Sequence, residues 1–161
     1  MEPKPDIVYG VPTAESIAGR SGREILQAII DGSLPAPPIA RTLSFWLVEI
    51  GDGVAVFEGE TGRHLLNPMG FVHGGWALTL LDSAFGCAAQ SVLPAGAGYT
   101  TIETKVNFTR PMTEDTGRVR VEGRVVNQGR QIITTDGKVL GRDGKVLAHG
   151  TSTLLVFSGG R

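Results

Sequence analysis

The segment Asn67-Pro68-Met69-Gly70-Phe71-Val72-His73-Gly74-Gly75 sets a carboxamide, an imidazole and two adjacent glycines directly ahead of a long apolar run. Glycine costs ~1 kcal/mol relative to alanine in a helix, so something other than helix stability calls for the pair. A residue without Cβ lets another molecule approach the backbone. The first amides of a helix also lack intrahelical partners, and the dipole there favours negative charge. An anion or oxyanion site is one reading of Gly74 and Gly75; close packing of two helix starts is the other. Asp82 follows as the one carboxylate of the run, at a helical angle shared with Gly74, Leu78, Phe85 and Ala89. Burial disfavours the charged form of a carboxylate. Asp82 is therefore either held by backbone donors or a polar interface, or used as a general base or nucleophile.

Other chemistry-bearing residues are scattered. Arg110 closes a strand and Arg130 sits in a turn after Gly129, so each is either a cation for phosphate groups or a solvated loop arginine. His64 and His149 have no partner at ligand spacing, and no metal or other cofactor is expected. Cys87, Trp46 and Trp76 read as core residues, with Trp76 close enough to the glycines to line a pocket. With Lys+Arg 15 against Asp+Glu 16 and a net charge of −1, the chain lacks the basic patch that nucleic acid or an anionic membrane would require. One cysteine forms no internal disulfide, and Met1-Glu2-Pro3-Lys4-Pro5-Asp6 has neither the basic flank nor the apolar run of a secretory signal. A cytoplasmic protein is the expectation.

The elements that must position these groups follow from patterning. At 161 residues and 41% hydrophobic content the chain suits one globular domain. Ser21-Gly22-Arg23-Glu24 opens a short amphipathic helix carrying Ile25, Leu26, Ile29 and Ile30, stopped by Asp31-Gly32 and three prolines, Pro35, Pro37 and Pro38. Residues 1–40 are thus a helical extension, and 41–158 the main domain. Alternation around Leu43, Phe45 and Leu47, the turn Gly51-Asp52-Gly53 and the run Val54–Glu58 predict a hairpin. Gly74 to Val92 is too long and too poor in β-branched residues for a strand, which predicts a buried helix. Strands follow from Tyr99, one of them alternating charge with valine over Arg118–Val125. Asp136-Gly137 and Asp143-Gly144 both offer hairpin turns, and only the second leaves two matched long strands, about 131–141 and 145–157. Glycine, 23 residues and about twice the usual ~7%, is expected mainly in turns, the Gly74-Gly75 pair excepted. The sum is an α+β layout, an antiparallel sheet wrapped around a long central helix, with an extra N-terminal helix.

Asn67, Gly70, His73-Gly74-Gly75, Asp82 and the strand through Thr101 and Glu103 to Arg110-Pro111 resemble the hotdog-fold acyl-CoA thioesterases of the PaaI-like and 4-hydroxybenzoyl-CoA thioesterase group, from about Leu43 to Phe157. The ordered set, with spacings of seven and fifteen residues from Asn67, carries that resemblance. It implies a homodimer or homotetramer that hydrolyses an acyl- or aryl-CoA. It also implies roles: Asn67 to orient or polarise the thioester carbonyl, the Gly74 amide to bond its oxygen, Asp82 as nucleophile or base, Thr101 to position water or the acid, and His73 in support. Gly75 and Thr100 adjoin these as substrate-contacting positions, and Arg110 and Arg130 are the candidates for the CoA phosphates. Such hydrolysis needs a nucleophile activator and a donor aimed at the developing oxyanion, which Asp82 and Gly74 can supply. The extension through Pro38 departs from the minimal family core. A noncatalytic acyl-CoA-binding module is the alternative; a hydratase ranks below both, because no Asp and His stand together on a loop. The one-helix geometry adds a constraint: eight residues span about 12 Å, too far for Gly74 and Asp82 of one chain to meet on one carbonyl. A two-fold axis pairing Asp82 with the partner's helix start would solve it.

Overall fold

The structure, a computed structural model, describes residues 5–158. The first four residues of the expected extension, and with them most of the non-signal start, lie outside the described residues. Three short helices lead in: α1 (Ala14–Ile17), α2 (Gly22–Ile30) and α3 (Pro38–Thr42). Ser21 and Glu24 close a reciprocal capping box at the start of α2, where the sequence placed the helix. The strands are β1 (Phe45–Gly51), β2 (Val54–Glu60), β3 (Ala97–Phe108), β4 (Arg118–Gln128), β5 (Ile132–Leu140) and β6 (Val146–Ser158). Helix α4 (Gly74–Gln90) lies between β2 and β3 in the chain. The strands form one antiparallel sheet in the order β1-β2-β4-β5-β6-β3. Asp143-Gly144 makes the β5–β6 turn, with Gly144 at φ +75°, a value that suits glycine. The expected start of the first strand differs: Leu43 caps α3 and Ser44 adopts φ +53°, so pairing begins only at Phe45.

Helix α4 packs its apolar side, Trp76, Leu80, Leu81, Ala84, Phe85 and Ala88, onto the sheet. Its close seat depends on glycines within strands rather than turns. Gly123, Gly137 and Gly150 stand opposite one another across β4, β5 and β6. A Cβ on Gly123 would lie 2.6 Å from the Ala84 backbone, and one on Gly137 would lie 2.8 Å from the Phe85 ring. Glycine outside turns is expected from the sequence only at the Gly74-Gly75 pair; Gly123 and Gly137 add strand positions where the helix rests because side chains are missing. Two strands remain at the sheet edges, β1 and β3. Helix α2 packs against β1 and touches α4, and the Gly22 amide donates to the Leu93 carbonyl beyond the end of α4 at 3.0 Å. A Cβ on Gly22 would collide with the Gln90 carbonyl. Among the described residues no helix is long and apolar enough to cross a membrane.

Candidate active site

Asp82 sits halfway along α4, half-buried and facing the edge strand β3. Its Oδ1 accepts the Thr101 hydroxyl at 3.1 Å and lies 3.3 Å from that of Thr104. Residues three apart on a strand ordinarily face opposite ways. Here a bulge between Thr101 and Glu103 turns both threonines toward the helix and leaves Ile102 outward. Strict strand alternation puts Thr104 on the other face, so nothing in the sequence pattern selects it. Its hydroxyl is also 2.9 Å from Ser152 Oγ, and Ser152 donates to the Glu103 carbonyl at 2.7 Å. Ser152 has thus spent its proton, and the single Thr104 proton is divided between Ser152 and Asp82. Thr101 is therefore the firm donor to Asp82. Among the described residues no donor reaches the other carboxylate oxygen, Oδ2.

Asp82 and Thr101 open onto a cavity of about 340 Å³. Phe45, Leu47 and Phe57 of the hairpin form one wall, and Leu26 and Ile29 of α2 another. Cys87 and Tyr99 line it beside the carboxylate, so Cys87 is a cavity residue as well as a packing one. Burial first, then the Asp82 charge, push the Cys87 thiol from its ordinary 9.0 up to about 12. Burial, followed by Cys87 and Asp82, also raises the Tyr99 phenol above its ordinary 10.0. Both groups stay neutral at physiological pH, which leaves Asp82 the nucleophilic or basic group of this wall. A raised folded-state value means that the associated stability is complete below the unfolded value and is lost as pH rises toward the folded one. The urea midpoint is accordingly expected to fall from pH 9 toward 12, with Cys87→Ala flattening the first part of the fall. Superimposable pH curves for the two chains would show that the thiol ionises as readily folded as unfolded.

The second cluster lies at the start of α4. Asn67 Oδ1 accepts the amides of Met69 and Phe71 at 2.9 and 3.2 Å, closing a loop in which Gly70 takes φ +82°. The Asn67 Nδ2 donor has no partner among the described residues. His73 is the helix N-cap: its Nδ1 accepts the Gly75 amide at 2.9 Å, so the ring supports the helix start and the Gly75 amide is already bonded. The Gly74 amide has no acceptor among the described residues. A Cβ on Gly74 would lie 3.1 Å from the Phe108 ring, so close packing also explains this glycine. Both readings of Gly74 therefore stand together.

Within one chain, the cavity brings together Asp82 and Thr101 but not Asn67, His73, Gly74 or Gly75. Thr100 is exposed on β3 opposite Leu155. Arg110 is exposed and donates to the Val146 carbonyl at 2.7 Å, while Arg130 is exposed in the β4–β5 turn. Neither arginine lines the cavity.

A six-stranded antiparallel sheet laid around one long central helix, with a carboxylate on that helix facing a cavity, is the hotdog-like architecture. The chain belongs to the thioesterase superfamily, whose sequence profile matches residues 69–148. A thioesterase family protein from Silicibacter pomeroyi is 30% identical, with a TM-score of 0.74, covering 83% of this chain and 99% of that one. The E. coli PaaI protein from the phenylacetic acid degradation operon shares the fold at 24% identity and TM-score 0.69, over 75% of this chain and 85% of its own. A hypothetical thioesterase protein of Streptococcus pneumoniae TIGR4, solved with coenzyme A, shares it at 23% identity and TM-score 0.65, over 73% and 92%.

Proposed function

We propose that the chain hydrolyses an acyl- or aryl-CoA thioester to the free acid and CoA. The observation that carries this reading is Asp82, a carboxylate with one oxygen held by Thr101 and the other open, at the edge of an apolar cavity sized for an acyl group. In the base mechanism, Asp82 takes a proton from water as the water oxygen attacks the thioester carbon. The carbonyl oxygen becomes an oxyanion, met by the Gly74 amide and Asn67 Nδ2. Collapse breaks the C–S bond and expels the CoA thiolate, which takes up the proton. In the nucleophile mechanism, Asp82 itself attacks the thioester carbon, and breaking the C–S bond expels CoA as the thiolate and leaves a mixed anhydride. Water then hydrolyses that anhydride, releasing the acid, restoring the Asp82 carboxylate and supplying the proton the thiolate takes up. His73 holds the helix start, with Gly75 and Thr100 beside the path of the substrate. Arg110 and Arg130 are the proposed phosphate contacts; the coenzyme A in the S. pneumoniae relative supports a CoA ester as the class of substrate. Residues 41–158 form the proposed catalytic domain and 1–40 its extension, in the cytoplasm where CoA esters are made and used.

The donors and Asp82 are proposed to meet across a dimer. Strand β3 is a long unpaired edge, with Ile102 and Phe108 exposed on it and Met69, Phe71 and Leu78 exposed nearby in the chain order of the site. Such an edge invites pairing with a second copy. The reading is tested by thiol release from a panel of acyl-CoAs, and its geometry by mixing Asn67→Ala with Asp82→Ala chains under subunit exchange. Random pairing puts one intact site in each mixed dimer and restores about a quarter of the original activity. Binding of acyl-CoA without thiol release would mark a noncatalytic module; verified mixed dimers without recovered activity would refute shared sites.

A further inference from the structure

The cavity beside Asp82 is bounded on its far side by residues that the family-matched region, 69–148, does not contain. Residues 10–12 and 35–37 line it, and they are tied into one strap. Tyr9 and Ala36 form a parallel bridge; the Gly10 amide donates to the Ala36 carbonyl and the Ala36 amide to the Val8 carbonyl, both at 2.9 Å. Prolines at 12, 35 and 37 stiffen the strap, since each has a fixed φ. Behind it, Leu26 and Ala40 are buried in the main core and Gly22 is bonded to the end of α4. The extension is therefore a fixed wall, anchored at three places, rather than a loose cover.

We propose that this strap, together with Ile29 of α2, is the specificity-determining wall of the acyl pocket and restricts the enzyme to compact apolar acyl groups. The proposal rests on the thioesterase reading above and adds the size of the acyl group to it. A cavity of about 340 Å³ stands at the small end of the ~300–1,000 Å³ range of ligand pockets. Its lining is apolar on the strap, α2 and hairpin sides, so an acyl group bearing a charge has no partner there. A long straight chain would have to displace a strap whose Gly10 and Ala36 amides are bonded in place.

The test compares kcat/KM for acetyl-, butyryl-, hexanoyl-, octanoyl-, dodecanoyl- and benzoyl-CoA in the full chain and in Ile29→Ala and Val11→Ala. In the unmodified chain, kcat/KM is expected to fall ~10-fold or more for each methylene beyond the capacity of the pocket. Ile29→Ala should move that fall to longer chains and raise the dodecanoyl-to-butyryl ratio at least ~10-fold. Val11, at the exposed end of the strap, is safe for folding, and Val11→Ala should shift the ratio in the same direction by less. Ile39→Ala, on α3 and outside the cavity, should leave the ratio where it was. Affinities for nonhydrolysable thioether analogues of the same acyl groups are measured in parallel. Length-dependent binding that both wall variants relax, without thiol release, would uphold the wall and refute hydrolysis. Hydrolysis with one length profile in all four chains would overturn the wall and keep hydrolysis. Absence of both binding and hydrolysis would overturn both.

Discussion

Asp82→Asn is expected to lower kcat at least ~10²-fold while the folded state persists. The substitution keeps the shape of the side chain, and the Asn carbonyl oxygen can still accept the Thr101 hydroxyl that Oδ1 accepts now. What it removes is the basic and nucleophilic character of the open oxygen. Neither Cys87 nor Tyr99 can take over, because burial, the larger cause of the raised values and one that remains when the Asp82 charge is removed, keeps the thiol and the phenol protonated at neutral pH. KM should change little, since the apolar walls that hold the acyl group are untouched. Thiol release under saturating substrate, with circular dichroism and melting as the check on folding, makes the measurement. Near-normal turnover by a folded Asp82→Asn chain would assign the carboxylate a structural role as an anchor between α4 and β3.

The largest effect on stability is expected from Gly123→Val. A Cβ there would meet the carbonyl carbon and oxygen of Ala84 at 2.6 Å, and these are helix backbone that cannot rotate aside. Either α4 lifts from β4 or the strand bends, and in both cases the packing of Phe85 over Gly137 is lost. Overpacking of this kind costs about 3 kcal/mol or more, which for a chain of this size lowers Tm by roughly 6–12 °C. Exposed Val126 on the same strand provides the comparison, because Val126→Ala should shift Tm by far less. Equal shifts for the two variants would mean that the helix is not seated on Gly123 and Gly137.

Local chemistry made several parts of this protein legible from its residues. The apolar run that becomes α4, the Ser21 and Glu24 capping box, the β1–β2 hairpin and the choice of the Asp143-Gly144 turn all rest on signals spanning a few adjacent residues. The separation of Gly74 from Asp82 along one helix likewise follows from 1.5 Å per residue. Asp82 stood out because a lone carboxylate in an apolar helix is costly unless it is used or bonded.

What depends on register and on distant segments could be read only in three dimensions. Thr104 joins Thr101 at Asp82 through a bulge, and a bulge is defined by the partner strand, here β6. Glycines 123 and 137 are apart in sequence and become neighbours through strand pairing, so their meaning as the seat of α4 had no local signature. The strap reads along the chain as a proline-rich lead-in; its place as the far wall of the cavity was decided by the bridge between Tyr9 and Ala36 and by the anchoring of α2 at the end of α4. Sequence alone determined which elements form and which residue could carry the chemistry, because helix periodicity, turns and the cost of a buried charge act over short stretches. Tertiary structure decided which groups face that residue and what bounds its pocket, because those follow from contacts between segments that no short-range preference encodes.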